Sequence, residues 1–191
     1  RELYANRQDP TKINIEKIVD RPKNFIMVKK ILEHIQEGHR SALIAMATGT
    51  GKTRVAMAII DALMKASIIR NVLFVVDRIA LSNLAKEEGF KEYFSEPVID
   101  LREDPKSFPN GLYVTTVQTL RYGKKNKYYE KFSSGFFDLI IFDEAHRSIY
   151  DPNKEVHRYF DVIRIGLTAT PSGTESKNTF ELFECEGNKA T

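Results

Sequence analysis

The chain is 191 residues long, 42% hydrophobic and 29% charged, the balance of a soluble globular protein with one sizeable core. Its net charge of +3, from 29 basic and 26 acidic residues, excludes the strong global field of a polycationic nucleic-acid binder, so any DNA contact must be local. A single cysteine, Cys185, excludes an internal disulfide or a cysteine-rich zinc site; with no apolar run near ~20 residues and no basic-then-apolar leader, the expected location is the cytoplasm, with no membrane partner.

In chain order, residues 1–20 read as a lead-in. Residues 22–37, PKNFIMVKKILEHIQE, space Phe25, Val28, Ile31, Leu32 and Ile35 at three- and four-residue intervals between Pro22 and Gly38, which predicts an amphipathic helix with start and stop signals. Short runs rich in branched residues follow: ALIAMA, NVLFVVD, PVID, LYVTTV, DLIIFDE and VIRIGLTA. They read as buried strands separated mostly by helical patterns. Such alternation implies right-handed crossovers and a mostly parallel sheet with helices on both faces, a three-layer α/β/α domain. In such sheets ligands sit beyond the carboxyl ends of the strands, and the chemically loaded residues fall there: ATGTGKT, DR, TTVQT, DEAH and TATP each follow an apolar run.

ATGTGKT combines glycines that let backbone N–H groups converge on an anion, a helix beginning near Lys52, and a lysine for the outer phosphates. Lys52 is suited to the β- and γ-phosphates of ATP and Thr53 to Mg²⁺. The expected nucleotide contacts are Thr48, Gly49, Thr50, Gly51, Lys52, Thr53 and Arg54. Met46 stands where the strict loop pattern wants glycine, and a plain strand-to-helix turn is the alternative reading. Hydrolysis needs a second Mg²⁺ contact and a group to activate water. Asp143, ending the run LIIF, is suited to the metal and Glu144 to the base; taken alone, an acidic pair after a strand is also a helix start. The two motifs together favour one site in which Lys52, Asp143 and Glu144 act on ATP·Mg²⁺.

DEAH followed by GLTATP, with MATGTGKT upstream, resembles superfamily 2 helicases and translocases over residues 20–175. The resemblance implies a RecA-like P-loop NTPase fold, with residues 21–175 as the first motor domain and 176–191 beginning the connection to a second. It also implies that His146 links the nucleotide site to that second domain, and that Thr168 and Thr170 couple hydrolysis to movement. Within the superfamily, the stretch from LIAMATGTGKT to VLFVVDRIALSNLA is similar to the restriction subunit of type I restriction enzymes; type III subunits and excision-repair helicases share much of it. By that similarity Arg78, Thr116 and Gln118 lie along the DNA backbone as sequence-independent contacts to double-stranded DNA, and modification and specificity subunits are expected partners. Asn24 occupies the place where many relatives carry a glutamine that reads adenine, which puts base selectivity in question. No second-domain motif or arginine finger follows residue 171, so this stretch alone is expected to bind nucleotide, hydrolyse it slowly and not translocate.

Two rival functions remain open on the sequence. A P-loop phosphotransferase leaves DEAH and TATP unexplained, and a non-catalytic nucleotide sensor predicts no hydrolysis. The stretch RYGKKNKYYEKFSSG, residues 121–135, reads as a solvated helix whose Tyr128, Tyr129 and Phe132 partly pack, with base stacking as the alternative. His34, His39 and His157 lack metal-ligand spacing in the sequence and read as surface residues.

Overall fold

The computed structural model describes residues 7–76, 98–123, 127–143, 145 and 151–169, without the side chains of 151–154. Among these residues, the elements are α1 (Pro22–Gln36), β1 (Ser41–Ala45), α2 (Lys52–Lys65), β2 (Val72–Val76), β3 (Val98–Asp100), β4 (Leu112–Thr116), α3 (Val117–Arg121), β5 (Leu139–Phe142), α4 (Asp151–Tyr159) and β6 (Ile163–Thr168). The six strands form one sheet in the order β1-β6-β5-β2-β4-β3. Every pairing is parallel. All six apolar runs of the sequence are therefore strands, and all their carboxyl ends lie along one edge of the sheet.

Side-chain alternation divides the interior in two. Along β2, Val72, Phe74 and Val76 join the core shared with α1 and α2, while Leu73 and Val75 join a second core with α3 and α4. Because successive strand residues point to opposite faces, an unbroken apolar run covers both sides of a sheet sandwiched by helices. The result is a three-layer α/β/α arrangement. In α2, Ala56, Ala58 and Ala62 are fully buried, and these small side chains let the helix lie close to its neighbours. Its one buried acid, Asp61, is paired with Lys65 at 2.8 Å.

The amino ends of the strands are stitched by polar side chains. Asn71 Nδ2 donates to the Phe136 carbonyl at 3.0 Å, and its Oδ1 accepts from the Gly111 N–H at 3.3 Å. Asp138 accepts from the backbone N–H groups of Arg70 and Asn71 at 2.8 and 2.9 Å. These bonds register the starts of β2, β4 and β5 at the end of the sheet away from the phosphate turn.

Two expectations are corrected here. The segment around Tyr128 is a short 3₁₀ turn, Tyr128–Lys131, rather than a solvated helix, and Tyr128, Tyr129 and Phe132 are only 9%, 7% and 3% exposed. Their rings belong to an aromatic cluster with Phe108, Tyr113, Phe136, Phe137 and Phe160, so burial claims the faces that base stacking would need. His157 is not on the surface: it is 2% exposed, because the apolar stripe of α4 carries it inward one residue after Val156. Cys185 lies outside the described residues.

Candidate nucleotide site

β1 leaves the sheet at Met46, whose N–H donates to the Thr168 carbonyl at 2.9 Å. This explains the methionine where the strict loop pattern has glycine. Position 46 still continues the ladder, and its side chain packs in the first core at 7% exposure. The turn proper runs from Ala47 to Gly51. Thr50 folds it by donating through Oγ1 to the Ala47 carbonyl at 2.6 Å. Gly49 and Gly51 have φ of 75° and 99°, backbone that a side chain resists and glycine adopts readily. Gly51 is the N-cap of α2.

The amino terminus of α2 is suited to an anion. Its first turn holds no acidic residue and its cap makes no side-chain hydrogen bond, so the first N–H groups and the positive end of the helix dipole are not neutralised from within the helix. Thr48, Gly49, Gly51, Lys52, Thr53 and Arg54 line one cleft of about 570 Å³, a size suited to a nucleotide. Asp20, Arg21 and Asn24 line the same cleft. Lys52 is 8% exposed. Arg54 pairs with Asp20 at 3.0 Å across the mouth, an exposed pair worth little in stability. Asp20 was invisible in the sequence, since nothing in a lone aspartate before a helix points to a residue 34 positions on.

Asp143 follows β5 at the same end of the sheet. Its N–H continues the ladder to the Val75 carbonyl at 2.8 Å. Counting on from Phe142↔Gly166, it falls level with Leu167, which itself pairs with Ile44 of β1. Only β6 separates β5 from β1, so at ~4.8 Å per strand Asp143 stands about 10 Å across from the base of the turn. Thr168, fully buried at the end of β6, lies between them. Lys52, Thr53, Asp143 and Thr168 thus converge on one edge, where a carboxylate and a hydroxyl offer the hard oxygen donors that Mg²⁺ prefers. Glu144, His146, Thr170 and Arg78 lie outside the described residues.

Thr116 and Gln118, expected along DNA, sit farther away. β4 is four positions from β1 in the sheet, about 19 Å at the same spacing. Thr116 is 6% exposed, and its hydroxyl caps α3, accepting from the Thr119 N–H at 3.0 Å. Gln118 is exposed and lines a separate cavity of about 960 Å³ with Leu101, Tyr122 and Lys131. That cavity is larger than the nucleotide cleft, yet its charges answer one another: Lys131 bonds Asp104 at 2.7 Å and Arg102 pairs with Asp100. It therefore offers a weaker anion site than the turn.

Among the described residues, one cluster has metal-ligand composition. His34, Glu37 and His39 bring ligand atoms within 4.8 Å of one another where Gly38, at φ 96°, reverses the chain after α1. The two imidazoles, however, are stacked 4.0 Å apart at 7°. Their in-plane lone pairs lie in parallel planes and do not converge on one ion.

A parallel sheet carrying a glycine-lysine-threonine turn after an edge strand and an aspartate two strands across defines a RecA-like domain of the superfamily 2 helicase kind. The family profile described as "Type III restriction enzyme, res subunit" matches residues 17–173, and the chain belongs to that family. It is 31% identical over 163 residues to the type I restriction enzyme EcoAI endonuclease subunit of Escherichia coli, covering 82% of this chain and 20% of that protein. With the EcoKI endonuclease subunit of Escherichia coli strain K12 it shares 30% identity over 172 residues, covering 76% of this chain and 14% of the relative. The chain thus spans a fifth or less of these relatives. Among solved structures, a fragment described as an HsdR subunit of a type I restriction enzyme from Vibrio vulnificus YJ016 superposes with a TM-score of 0.65 at 28% identity, over 84% of this chain and 28% of the other. The Sulfolobus solfataricus SWI2/SNF2 ATPase core in complex with dsDNA gives a TM-score of 0.68 at 18% identity, over 90% of this chain and 35% of that one, a likeness of fold. The domain is therefore helicase-like and close to the restriction subunits of type I enzymes.

Proposed function

We propose that this chain is the ATP-binding and hydrolysing motor unit of a DNA translocase, working within a type I restriction endonuclease subunit. The observation that carries the reading is the convergence of the turn at Gly49–Thr53 with Asp143 on one edge of the sheet, beside a helix terminus suited to phosphate. In this reading the turn's N–H groups and Lys52 bind the triphosphate, and Thr53 and Asp143 hold Mg²⁺. A metal held there would supply positive charge against the phosphates during hydrolysis. Glu144, next in sequence, orients water and takes its proton. Thr168, with His146 and Thr170, passes the state of the site to a second motor domain, and Arg78 and Gln118 contact the backbone of double-stranded DNA. Modification and specificity subunits complete the assembly. Sequence similarity to type I endonuclease subunits supports the assignment.

The test is ATP hydrolysis by the full-length protein with and without duplex DNA. DNA is expected to stimulate turnover, and Lys52→Ala and Glu144→Gln each to lower it on the order of 100-fold or more. Turnover indifferent to DNA, or unchanged in both variants, contradicts the proposal.

A further inference from the structure

Asn24 is a buried polar residue on α1, 6% exposed, and it belongs to the wall of the nucleotide cleft. Its Nδ2 donates to the carbonyl of Thr50, inside the phosphate turn, at 3.0 Å. A Cβ placed on Gly51 would stand 2.9 Å from that same nitrogen, so the amide is pressed against the turn itself.

The peptide it grips is the one that most needs gripping. In a planar trans peptide the C=O and N–H point in opposite directions; holding the Thr50 carbonyl toward Asn24 therefore fixes the Gly51 N–H away from it. The flanking glycine makes this peptide easy to turn over, because Gly51 tolerates either sign of φ. Turned over, it would present a carbonyl oxygen where an amide proton had been, and a carbonyl repels phosphate. The turn is also held within itself, by Thr50 N–H and Oγ1 on the Ala47 carbonyl. The Asn24 amide is a tie from the turn to a separate helix.

We propose that Asn24 is a positioning residue of the phosphate turn, locking the Thr50–Gly51 peptide in its anion-binding orientation, and that it is not a reader of the nucleotide base. This rests on the nucleotide-site reading above and adds to it. The consequence concerns specificity: in this reading the amide acts on the turn, with one of its N–H groups held on the Thr50 carbonyl, and any discrimination between bases comes from elsewhere.

The experiment measures binding of ATP, GTP and inorganic tripolyphosphate to the full-length protein by calorimetry, in wild type, Asn24→Ala and Asn24→Asp. Asn24→Asp preserves shape but sets an acceptor against the Thr50 carbonyl; Asn24→Ala removes the bond without repulsion, so the test survives if one variant folds poorly. All three ligands are expected to lose affinity by a common factor of about 10 or more. The ATP-to-GTP ratio should stay near its wild-type value, which a base-reading role would not allow. In Asn24→Asp the deficit relative to wild type should shrink as pH falls from about 7 to about 5, because a protonated carboxyl can donate to Thr50 again. Unchanged tripolyphosphate binding with weakened ATP alone would make Asn24 a base reader and overturn the proposal. Unchanged binding of all three ligands would overturn it too. Failure of the wild type to bind ATP or tripolyphosphate at all would instead overturn the nucleotide-site reading, and this inference with it.

Discussion

The imidazole of His157 is stacked on the ring of Phe142, with centroids 3.9 Å apart and planes inclined by 19°. The stack ties α4 to the strand that delivers Asp143. Burial, with the Arg164 charge adding to it, pushes the His157 pKa down to about 3, so the folded protein keeps this ring neutral. The unfolded chain takes up a proton near pH ~6.5. Stability contributed by the neutral ring is thus complete above that value and lost as pH falls toward about 3.

Between about pH 7.5 and about pH 5.5 this one group should remove about 1.4 kcal/mol. Urea unfolding at the two pH values, in wild type and His157→Gln, checks it: the slope should be present in the first and largely absent in the second. Equal slopes would assign the pH dependence to other groups.

The two turn glycines are expected to differ. A methyl group on Gly49 meets nothing within 4 Å, whereas on Gly51 it meets the Asn24 amide at 2.9 Å, and both carry positive φ. Gly49→Ala should therefore bear only backbone strain, on the order of 1 kcal/mol, and keep nucleotide affinity within a few-fold. Gly51→Ala adds a steric clash at the α2 cap and should lose about tenfold or more in affinity for ATP. Calorimetric titration of both variants distinguishes the two; equal losses would show that backbone strain alone governs the turn.

At the opposite end of the sheet, Asn71→Ala leaves the Gly111 N–H and the Phe136 carbonyl without their side-chain partner. Leaving buried polar groups unsatisfied costs about 1 to 3 kcal/mol. Chemical denaturation should show that loss, with ATP affinity unchanged because Asn71 lies across the sheet from the cleft.

Much of this structure was legible in the sequence for physical reasons. The strands were legible because a strand buried on both faces must be a short apolar run, and β1, β2 and β5 each are. The helices α1 and α2 were legible because their apolar spacing is helical and Pro22, Gly38 and Gly51 punctuate them. The strand order was not legible: nothing local to β6 says that it inserts between β1 and β5, yet that insertion sets the separation of the turn from Asp143. Pairings such as Asp20 with Arg54 and Asn24 with Thr50 are equally non-local. His157 and the Tyr128 region were misread because a histidine or tyrosine bears a polar group whichever way it faces. The inward turn of these rings is decided by packing against Phe142 and Phe132.

The central claim is that the turn and Asp143 surround one metal-bound triphosphate, and the most direct measurement is the gain in affinity for a non-hydrolysable ATP analogue when Mg²⁺ is added. In wild type that gain should be large. Asp143→Ala should abolish the gain while leaving metal-free binding intact, and Lys52→Ala should weaken binding with and without the metal. A Mg²⁺ gain that survives Asp143→Ala in full would contradict the account.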